Sequence, residues 1–124
     1  MTLVNPVGWF EIPVTDLDRA CAFYQQVFSI QLGRMQMGEG DMATFPFDHQ
    51  ANGAAGALVK EPGYHPSITG ALVYFACQDV SESLARVVNA GGQVALVKTG
   101  IGEHGFIGHF IDSEGNKVAL HSIK

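Results

Sequence analysis

The sequence predicts an α+β domain built from two halves with the same order of elements, βαβββ. The first indication is a strand that turns into an amphipathic helix within residues 9–28. The second is a weaker copy of this strand–helix start within residues 73–88, about 63 residues later. The third is a composition of 47% hydrophobic and 15% charged residues, which is typical of a folded globule.

The first half is predicted to open with a strand at residues 9–14, whose alternate side chains point to opposite faces of a sheet. A helix follows and runs to Phe28, with Thr15 or Asp16 as the N-cap that accepts a hydrogen bond from a free backbone N–H. The apolar residues that recur there at helical spacing are Leu17, Cys21, Tyr24 and Phe28. Three short strands are predicted next, at residues 31–36, 42–47 and 54–60.

The second half is predicted to repeat this order. A strand at residues 72–77 leads into a helix at residues 79–90, which Gly91 and Gly92 end as a left-handed cap. The apolar residues at helical spacing are Val80, Leu84, Val87 and Val88. Three strands follow at residues 93–98, 106–111 and 117–123, with a tight turn at residues 112–116.

The chain is predicted to be a single domain over residues 1–124. Its two modules are residues 1–61 and residues 70–124, joined by the linker 61–70, which contains two prolines and two glycines. A length of 124 residues is common for one domain and allows a sizeable core.

Charge and hydropathy exclude several classes of partner. The formal charge of −5 and the lack of a Lys/Arg cluster argue against nucleic acid. Neither a signal-peptide pattern nor an apolar run of membrane-spanning length is present, so no membrane partner is expected. Two cysteines do not make a disulfide framework, and a cytoplasmic location is the resulting expectation.

Three separated motifs resemble the vicinal oxygen chelate superfamily, which includes glyoxalase I, bleomycin-resistance proteins and extradiol dioxygenases. They are FEIPVTDLDRACAFYQQVF, LVYFACQDVSESLARVVNAGG and DSEGNKVALHS, and with the intervening strands they cover nearly the whole chain. The chain is most similar to the small glyoxalase-like members. The resemblance implies paired βαβββ modules whose sheets curl into a cup, in a homodimer.

The resemblance also indicates where a metal would bind. Metal-dependent members carry a His, Glu or Gln on the first and the last strand of each module. Counting back from the helix starts places the first-strand positions on Trp9 and Val73, and the last-strand positions fall on Ala57, within GALVK, and Ala119, within VALHS. Since none of these side chains binds a metal, we predict no metal ligands and no cofactor, and expect a divalent ion only at a nonstandard site.

Histidines are the candidates for such a nonstandard site, because imidazole binds zinc, copper, iron and nickel. His104, His109 and His121 are the three considered, although no short ligand spacing supports them. Surface or pocket-rim histidine is the alternative interpretation.

Glu11 and His121 are the predicted catalytic pair. Each lies two residues beyond a position that the resemblance assigns to a metal ligand, so strand alternation would keep both on the cup-facing side. Glu11 is the candidate general base, with His121 as its partner or as a proton donor. The alternative is a structural hydrogen-bonded or ion-paired duo lining a wet pocket.

A ligand pocket with an aromatic, largely apolar lining is predicted on the same face. Such a lining suits a small organic ligand better than a hydrated ion. Its predicted residues are Trp9, Val73, Phe75, Cys77, Ala119 and His104. The alternative is a cup filled by these residues as core. Cys77 is interpreted as lining, since the sequence identifies no neighbouring base to activate its thiol.

The glycine-rich stretch at residues 100–105 formally matches the dinucleotide fingerprint G-x-G-x-x-G. That motif binds a pyrophosphate only where a helix N-terminus follows. Residues 106–111 are predicted to form a strand, so dinucleotide binding is rejected. The stretch is interpreted as a hairpin, with a flexible loop over the cup mouth as the alternative.

Three functions remain open at this point. The first is metal-independent binding or sequestering of a small organic molecule, similar in logic to bleomycin resistance. The second is an enzyme, a glyoxalase-like lyase or dioxygenase, which uses a rearranged metal site or acid–base chemistry at Glu11 and His121. The third is an interaction module.

Overall fold

A computed structural model describes residues 5–124 of the chain, apart from the side chain of Met37; residues 1–4 of the predicted first module lie outside it. The first module is β1 (Trp9–Pro13), α1 (Leu17–Phe28), β2 (Gly33–Met37), β3 (Gly40–Thr44) and β4 (Ala55–Lys60). The second is β5 (Tyr74–Ala76), α2 (Val80–Asn89), β6 (Gln93–Gly100), β7 (Phe106–Ile111) and β8 (Lys117–Ser122), with a 3₁₀ helix (Gly102–His104) after β6. The predicted α+β fold with two βαβββ halves is confirmed.

Each module forms its own four-stranded mixed sheet. The strand orders are β1-β4-β3-β2 and β5-β8-β7-β6, so the first strand of each module lies beside the last. This pair is parallel in both modules, and the register also repeats, since Glu11 pairs with Ala57 and Tyr74 with Ala119. The duplication therefore extends from element order to strand pairing.

Both helices begin at the predicted aspartates. The side chain of Asp16 accepts a hydrogen bond from the backbone N–H of Arg19, and that of Asp79 accepts one from Ser81. These bonds satisfy N–H groups that have no partner inside a helix. Val88, predicted on the apolar face of α2, is exposed, because the buried face of that helix uses Ser83 beside Leu84.

None of the described helices is long and apolar enough to span a bilayer.

One hydrophobic core joins the two modules. It contains the helix-facing sides of both sheets and the buried faces of both helices. Tyr24 on α1 illustrates this, because its ring centroid lies 5.7 Å from that of Phe45 in the first module and 6.1 Å from that of Phe75 in the second. Aromatic contacts of this kind stabilise the packing beyond the area they bury.

The turn between β7 and β8 fastens the second module to the start of α1. Glu114 in this turn has no exposed side-chain surface. Its carboxylate accepts hydrogen bonds from the backbone N–H groups of Thr15 and Asp16, at 2.9 and 2.8 Å, and from Nε of Arg19 at 2.7 Å. Burial favours a higher pKa, but these hydrogen bonds, with that from Arg19 the largest, lower the pKa of Glu114 to about 2.

Two further residues of this turn complete the attachment. Asp112 accepts a hydrogen bond of 2.6 Å from the buried hydroxyl of Tyr24, whose pKa is raised well above its usual value by burial and then by Asp112. Asn116 donates through Nδ2 to the carbonyl of Pro13 at 2.7 Å and accepts at Oδ1 from the N–H of Ser67. The turn thus holds α1, β1 and the linker together.

Replacing Glu114 by Gln should lower the free energy of unfolding at pH 7 by about 1–3 kcal/mol, because the charged partner of Arg19 is lost from a buried position. Urea unfolding followed by circular dichroism measures this. Glu39→Gln makes the same chemical change on an exposed turn, and its effect should stay within about 0.5 kcal/mol.

The stability difference between wild type and Glu114→Gln should also depend on pH. The folded-state pKa of about 2 lies below the ordinary value of 4.5, so the carboxylate contributes its full stabilisation above pH 4.5. That contribution is lost as the pH falls from 4.5 towards 2. A difference that stayed constant down to pH 2.5 would contradict the proposed role of Glu114.

Candidate functional site

Each sheet has one face against the helices and one open face. On β1 the side chain of Ile12 is buried in the core, whereas Trp9 and Glu11 are exposed on the other side. Glu11 pairs with Ala57 of β4, whose methyl side chain adds little bulk to that face. The open face of the first sheet therefore carries both predicted residues of β1.

Glu11 lies at the centre of a small hydrogen-bonded group, which we call the Glu11 cluster and define as Trp9, Glu11 and Tyr64. The indole Nε1 of Trp9 donates to Oε2 of Glu11 at 3.3 Å, and the hydroxyl of Tyr64 donates to Oε1 at 3.3 Å. Tyr64 comes from the linker, which passes beside this face. The cluster combines two exposed aromatic rings with one carboxylate.

The negative charge of Glu11, followed by that of Glu61, raises the pKa of Tyr64. The phenol therefore stays protonated and remains a hydrogen-bond donor at neutral pH. Sequence reasoning missed this residue because it lies in the linker, 53 residues from Glu11 along the chain.

The open face of the second sheet carries Tyr74, His109, Ala119 and His121. The Tyr74 hydroxyl lies 3.4 Å from Nε2 of His109, and the two rings pack edge-on. Burial, with a smaller contribution from the charge of Lys117, lowers the pKa of His109. His109 is therefore a neutral imidazole at pH 7.

His121 contacts the glycine-rich loop. Its Nε2 lies 2.6 Å from the backbone carbonyl of His104. Because a carbonyl oxygen can only accept, Nε2 must carry the proton, which leaves Nδ1 as the nitrogen free to accept. His104 thus contributes its carbonyl, while its own side chain is 78% exposed.

Glu11 and His121 have different partners. Within residues 5–124 no hydrogen bond or ion pair connects them, since Glu11 bonds to Trp9 and Tyr64. The structure places both on open faces but does not bring them together as a hydrogen-bonded pair. Their catalytic roles remain a prediction.

The predicted orientation of β5 is wrong by one residue. Tyr74 pairs with Ala119 as Glu11 pairs with Ala57, so Tyr74 is the equivalent of Glu11 on the open face, and Val73, one residue earlier, does not lie on that face. The count from the N-caps used seven residues in the first module and six in the second. A slip of one residue moves every side chain of a strand to the opposite face.

Phe75 and Cys77 consequently pack on the helix side. The ring centroid of Phe75 lies 5.6 Å from that of Phe10, and Cys77 packs against the same core. The Cys77 thiol donates a long hydrogen bond to the carbonyl of His121. These two residues, with Val73, do not share a face with Trp9 and Ala119 as predicted.

The positions that the resemblance assigns to a divalent ion do not fit one. Trp9 carries an indole there, Val73 an isopropyl group, and Ala57 and Ala119 carry methyl groups. In the described part of the chain, no three His, Cys, Asp or Glu side chains are grouped as an ion would require. The chemistry of the open faces is accordingly derived from these side chains alone.

A cavity of about 1140 Å³ lies between the modules, and β5 lines it with Tyr74 and Ala76 of its open face as well as with Phe75 of its helix side. Its apolar wall contains Val73, Phe75 and Cys77, so three residues predicted to line a pocket line this one. Its aromatic wall is completed by Phe10, Phe28 and Phe45, and its polar residues include Asn52, Gln78, Glu82, Ser83 and Arg86. Sequence reasoning missed it because its lining residues come from distant parts of the chain; Glu82 and Arg86 are exposed on α2, and of the polar lining residues only Ser83 belongs to the buried face of that helix.

The glycine-rich stretch at residues 100–105 connects the end of β6 to the start of β7. It forms the 3₁₀ helix and leads directly into β7, which confirms the predicted strand after the fingerprint-like glycines. Gly105 has φ +101°, and a Cβ there would lie 2.3 Å from the carbonyl oxygen of Ser122. Its glycine is required by close backbone packing rather than by a phosphate.

Comparison with known proteins found a family model that covers most of the chain. The model described as the Glyoxalase/Bleomycin resistance protein/Dioxygenase superfamily matches residues 7–120. Comparison with curated proteins found no matching sequence.

Several solved structures share the fold. A glyoxylase/bleomycin resistance protein/dioxygenase domain from Frankia sp. EAN1pec has a TM-score of 0.74 at 16% identity, over 97% of this chain and 98% of the other. A glyoxalase/bleomycin resistance protein from Albidiferax ferrireducens T118 has a TM-score of 0.71 at 14% identity, over 94% and 97%. Glyoxalase I from Zea mays has a TM-score of 0.71 at 21% identity, over 95% of this chain but 46% of the maize protein. The chain thus spans about half the length of the maize enzyme.

Glu11→Gln should lower the pKa of Tyr64 towards its ordinary value of 10, because the nearest negative charge is removed. Spectrophotometric titration of the tyrosines measures the shift, and Tyr64→Phe assigns it by deleting that transition. Glu39→Gln should leave the titration unchanged. An unshifted Tyr64 in Glu11→Gln would show that the two side chains are not in contact in solution.

Proposed function

The chain belongs to the Glyoxalase/Bleomycin resistance protein/Dioxygenase superfamily, and on that premise we propose that it binds a small organic molecule on the open faces of its sheets without a divalent metal. The observation that carries this proposal is the set of side chains at the positions where metal-dependent relatives would hold an ion. They are the indole of Trp9, the isopropyl group of Val73 and the methyl groups of Ala57 and Ala119, none of which can bind an ion.

The neighbouring polar groups indicate the kind of molecule that fits. Trp9 and Tyr64 offer ring surfaces on which a flat ligand can pack. Glu11 accepts hydrogen bonds, so a ligand group with an N–H or O–H is favoured next to it. On the other sheet, His109 is neutral and can pair with an uncharged polar group. A small aromatic compound with hydrogen-bond donors meets these requirements.

A thermal-shift screen of small aromatic and carbonyl compounds tests the proposal. Trp9 is the only tryptophan of the chain, so a ligand on the open face should both raise Tm and change tryptophan fluorescence. We expect the same Kd with and without EDTA. Glu11→Gln should weaken binding about fivefold or more, because a hydrogen bond to a charged group is lost.

Glu39→Gln is the matched control and should bind like wild type. Binding that requires added zinc, manganese, nickel or iron would contradict the proposal. So would a screen in which no stabilising compound affects Trp9.

An enzymatic function, as a lyase or dioxygenase, is the second candidate. It is favoured by the exposed carboxylate of Glu11 and by the free Nδ1 of His121, which are the groups that acid–base chemistry needs. A substrate bound between them would have to bridge the two, since they do not contact each other.

This candidate is tested first by metal analysis of protein purified without chelators. Near-stoichiometric iron, nickel, manganese or zinc would favour a rearranged metal site. If the protein is metal-free, wild-type turnover in both Glu11→Gln and His121→Ala would eliminate acid–base catalysis by these residues. The homodimer and the interaction module remain predictions from the family resemblance.

A further inference from the structure

The internal duplication allows the starts of the two helices to be compared residue by residue. The N-caps Asp16 and Asp79 are 63 positions apart, and so are Glu11 and Tyr74, which have equivalent strand partners. The same spacing relates Thr15 to Gln78, Arg19 to Glu82, and Ala20 to Ser83. Differences between these pairs show where the two modules have diverged.

At α1 the space beside the helix start is filled by a side chain of the second module. The carboxylate of Glu114 accepts hydrogen bonds from the N–H groups of Thr15 and Asp16 and pairs with Arg19. A carboxylate is well placed there, because the N-terminus of a helix carries a partial positive charge.

At α2 no carboxylate lies at the corresponding place beside the helix start, as far as the described residues show. The β3–β4 connection has ten residues (45–54), against five (112–116) in the β7–β8 turn. Within residues 5–124, no acceptor is hydrogen-bonded to the backbone N–H of Gln78 or Asp79. The inter-module cavity lies beside this helix start, and both Asn52 of the longer connection and Gln78 line it.

Ser83 gives an independent indication that this cavity takes a polar ligand atom. It lines the cavity, is 1% exposed, and its hydroxyl has no hydrogen-bond partner among the described residues. A buried hydroxyl without a partner is unfavourable, because it has lost its hydrogen bonds to water. The equivalent residue in the first module, Ala20, has no hydroxyl and so needs no hydrogen-bond partner.

The rest of the cavity favours a flat apolar body. Phe10, Phe28, Phe45 and Phe75 line it, and their rings contact one another at centroid distances from 4.7 to 5.6 Å. Aromatic walls of this kind bind aromatic ligands by stacked or edge-on contacts.

The charges at the rim argue against an anionic ligand. Glu82 occupies the position that Arg19 has in the first module. In the first module Arg19 binds the carboxylate of Glu114, whereas Glu82 would repel a negatively charged ligand. Arg86 also lines the cavity, but its Nε donates to the carbonyl of Val27 at 2.8 Å. The charges of Glu82 and Arg86 cancel. An uncharged hydrogen-bond acceptor is therefore the best match for the free N–H and O–H donors of the cavity.

We propose that the inter-module cavity is a second ligand site, for a small aromatic compound with an uncharged carbonyl group. The carbonyl oxygen accepts hydrogen bonds from the N–H group of Gln78 and from the hydroxyl of Ser83, both of which belong to residues that line the cavity. The aromatic ring packs against the four phenylalanines. The site is separate from the Glu11 cluster, whose residues do not line the cavity.

Titration of ¹⁵N-labelled protein with benzamide, benzoate and benzylamine tests the site and its charge preference. Benzamide should shift the amide signals of Gln78, Asp79 and Ser83 and leave the Trp9 indole signal unchanged. Benzoate and benzylamine should bind at least about fivefold more weakly, since one meets Glu82 and the other lacks an acceptor. Benzamide shifts confined to the Trp9 face, or no saturable shifts, would overturn the proposal.

Two variants extend the test. Ser83→Ala should weaken benzamide binding about fivefold without lowering Tm, because it removes a hydroxyl that has no partner in the free protein. Glu82→Arg restores the cation of the first module and should strengthen benzoate binding about tenfold relative to wild type. Glu39→Arg, the same charge change outside the cavity, should not.

If Glu82→Arg kept the wild-type preference for benzamide over benzoate, the proposal that the ligand's carbonyl group lies beside the start of α2 would be wrong. Because the Trp9 signal reports the open face separately, failure at the cavity and failure of the proposed function give different results.

Discussion

The buried carboxylate of Glu114 sets the relation between the two modules. It lies at the N-terminus of α1, where two backbone N–H groups and Arg19 neutralise a charge that would be very unfavourable alone. Glu114 and Arg19 are 95 residues apart in the chain. The contact therefore positions one half of the fold against the other, and with it both the open faces and the cavity between the modules.

The same contact marks a structural difference between two halves that share their topology. In one half the corner beside the helix start is closed by a short turn that carries the carboxylate. In the other half a longer connection leaves the corner open, and Ser83 and Glu82 replace Ala20 and Arg19. A duplicated scaffold can thus keep one junction for stability and use the other for binding, because fold and site are separable.

The parts of the fold that local chemistry determines were predictable from the sequence. Asp16 and Asp79 were identified as helix starts because aspartate caps free N–H groups, and β7 was placed correctly at residues 106–111 by its apolar run between turns. The face of β5 was not, since its three ladder residues give little periodicity from which to choose a register. The Glu114 contact, the position of Tyr64 and the cavity depend on pairings between distant residues, which no local pattern encodes.

A crystal structure of the protein purified without chelators, with anomalous data collected above the iron, nickel and zinc edges, tests the central claim most directly. We predict no anomalous peak on the open faces near Trp9, Ala57, Tyr74 and Ala119, and density for an organic ligand beside the Glu11 cluster in crystals soaked with a compound from the screen. An ion held by side chains on those faces would contradict the account, because it would show that the metal-binding chemistry of the superfamily persists there.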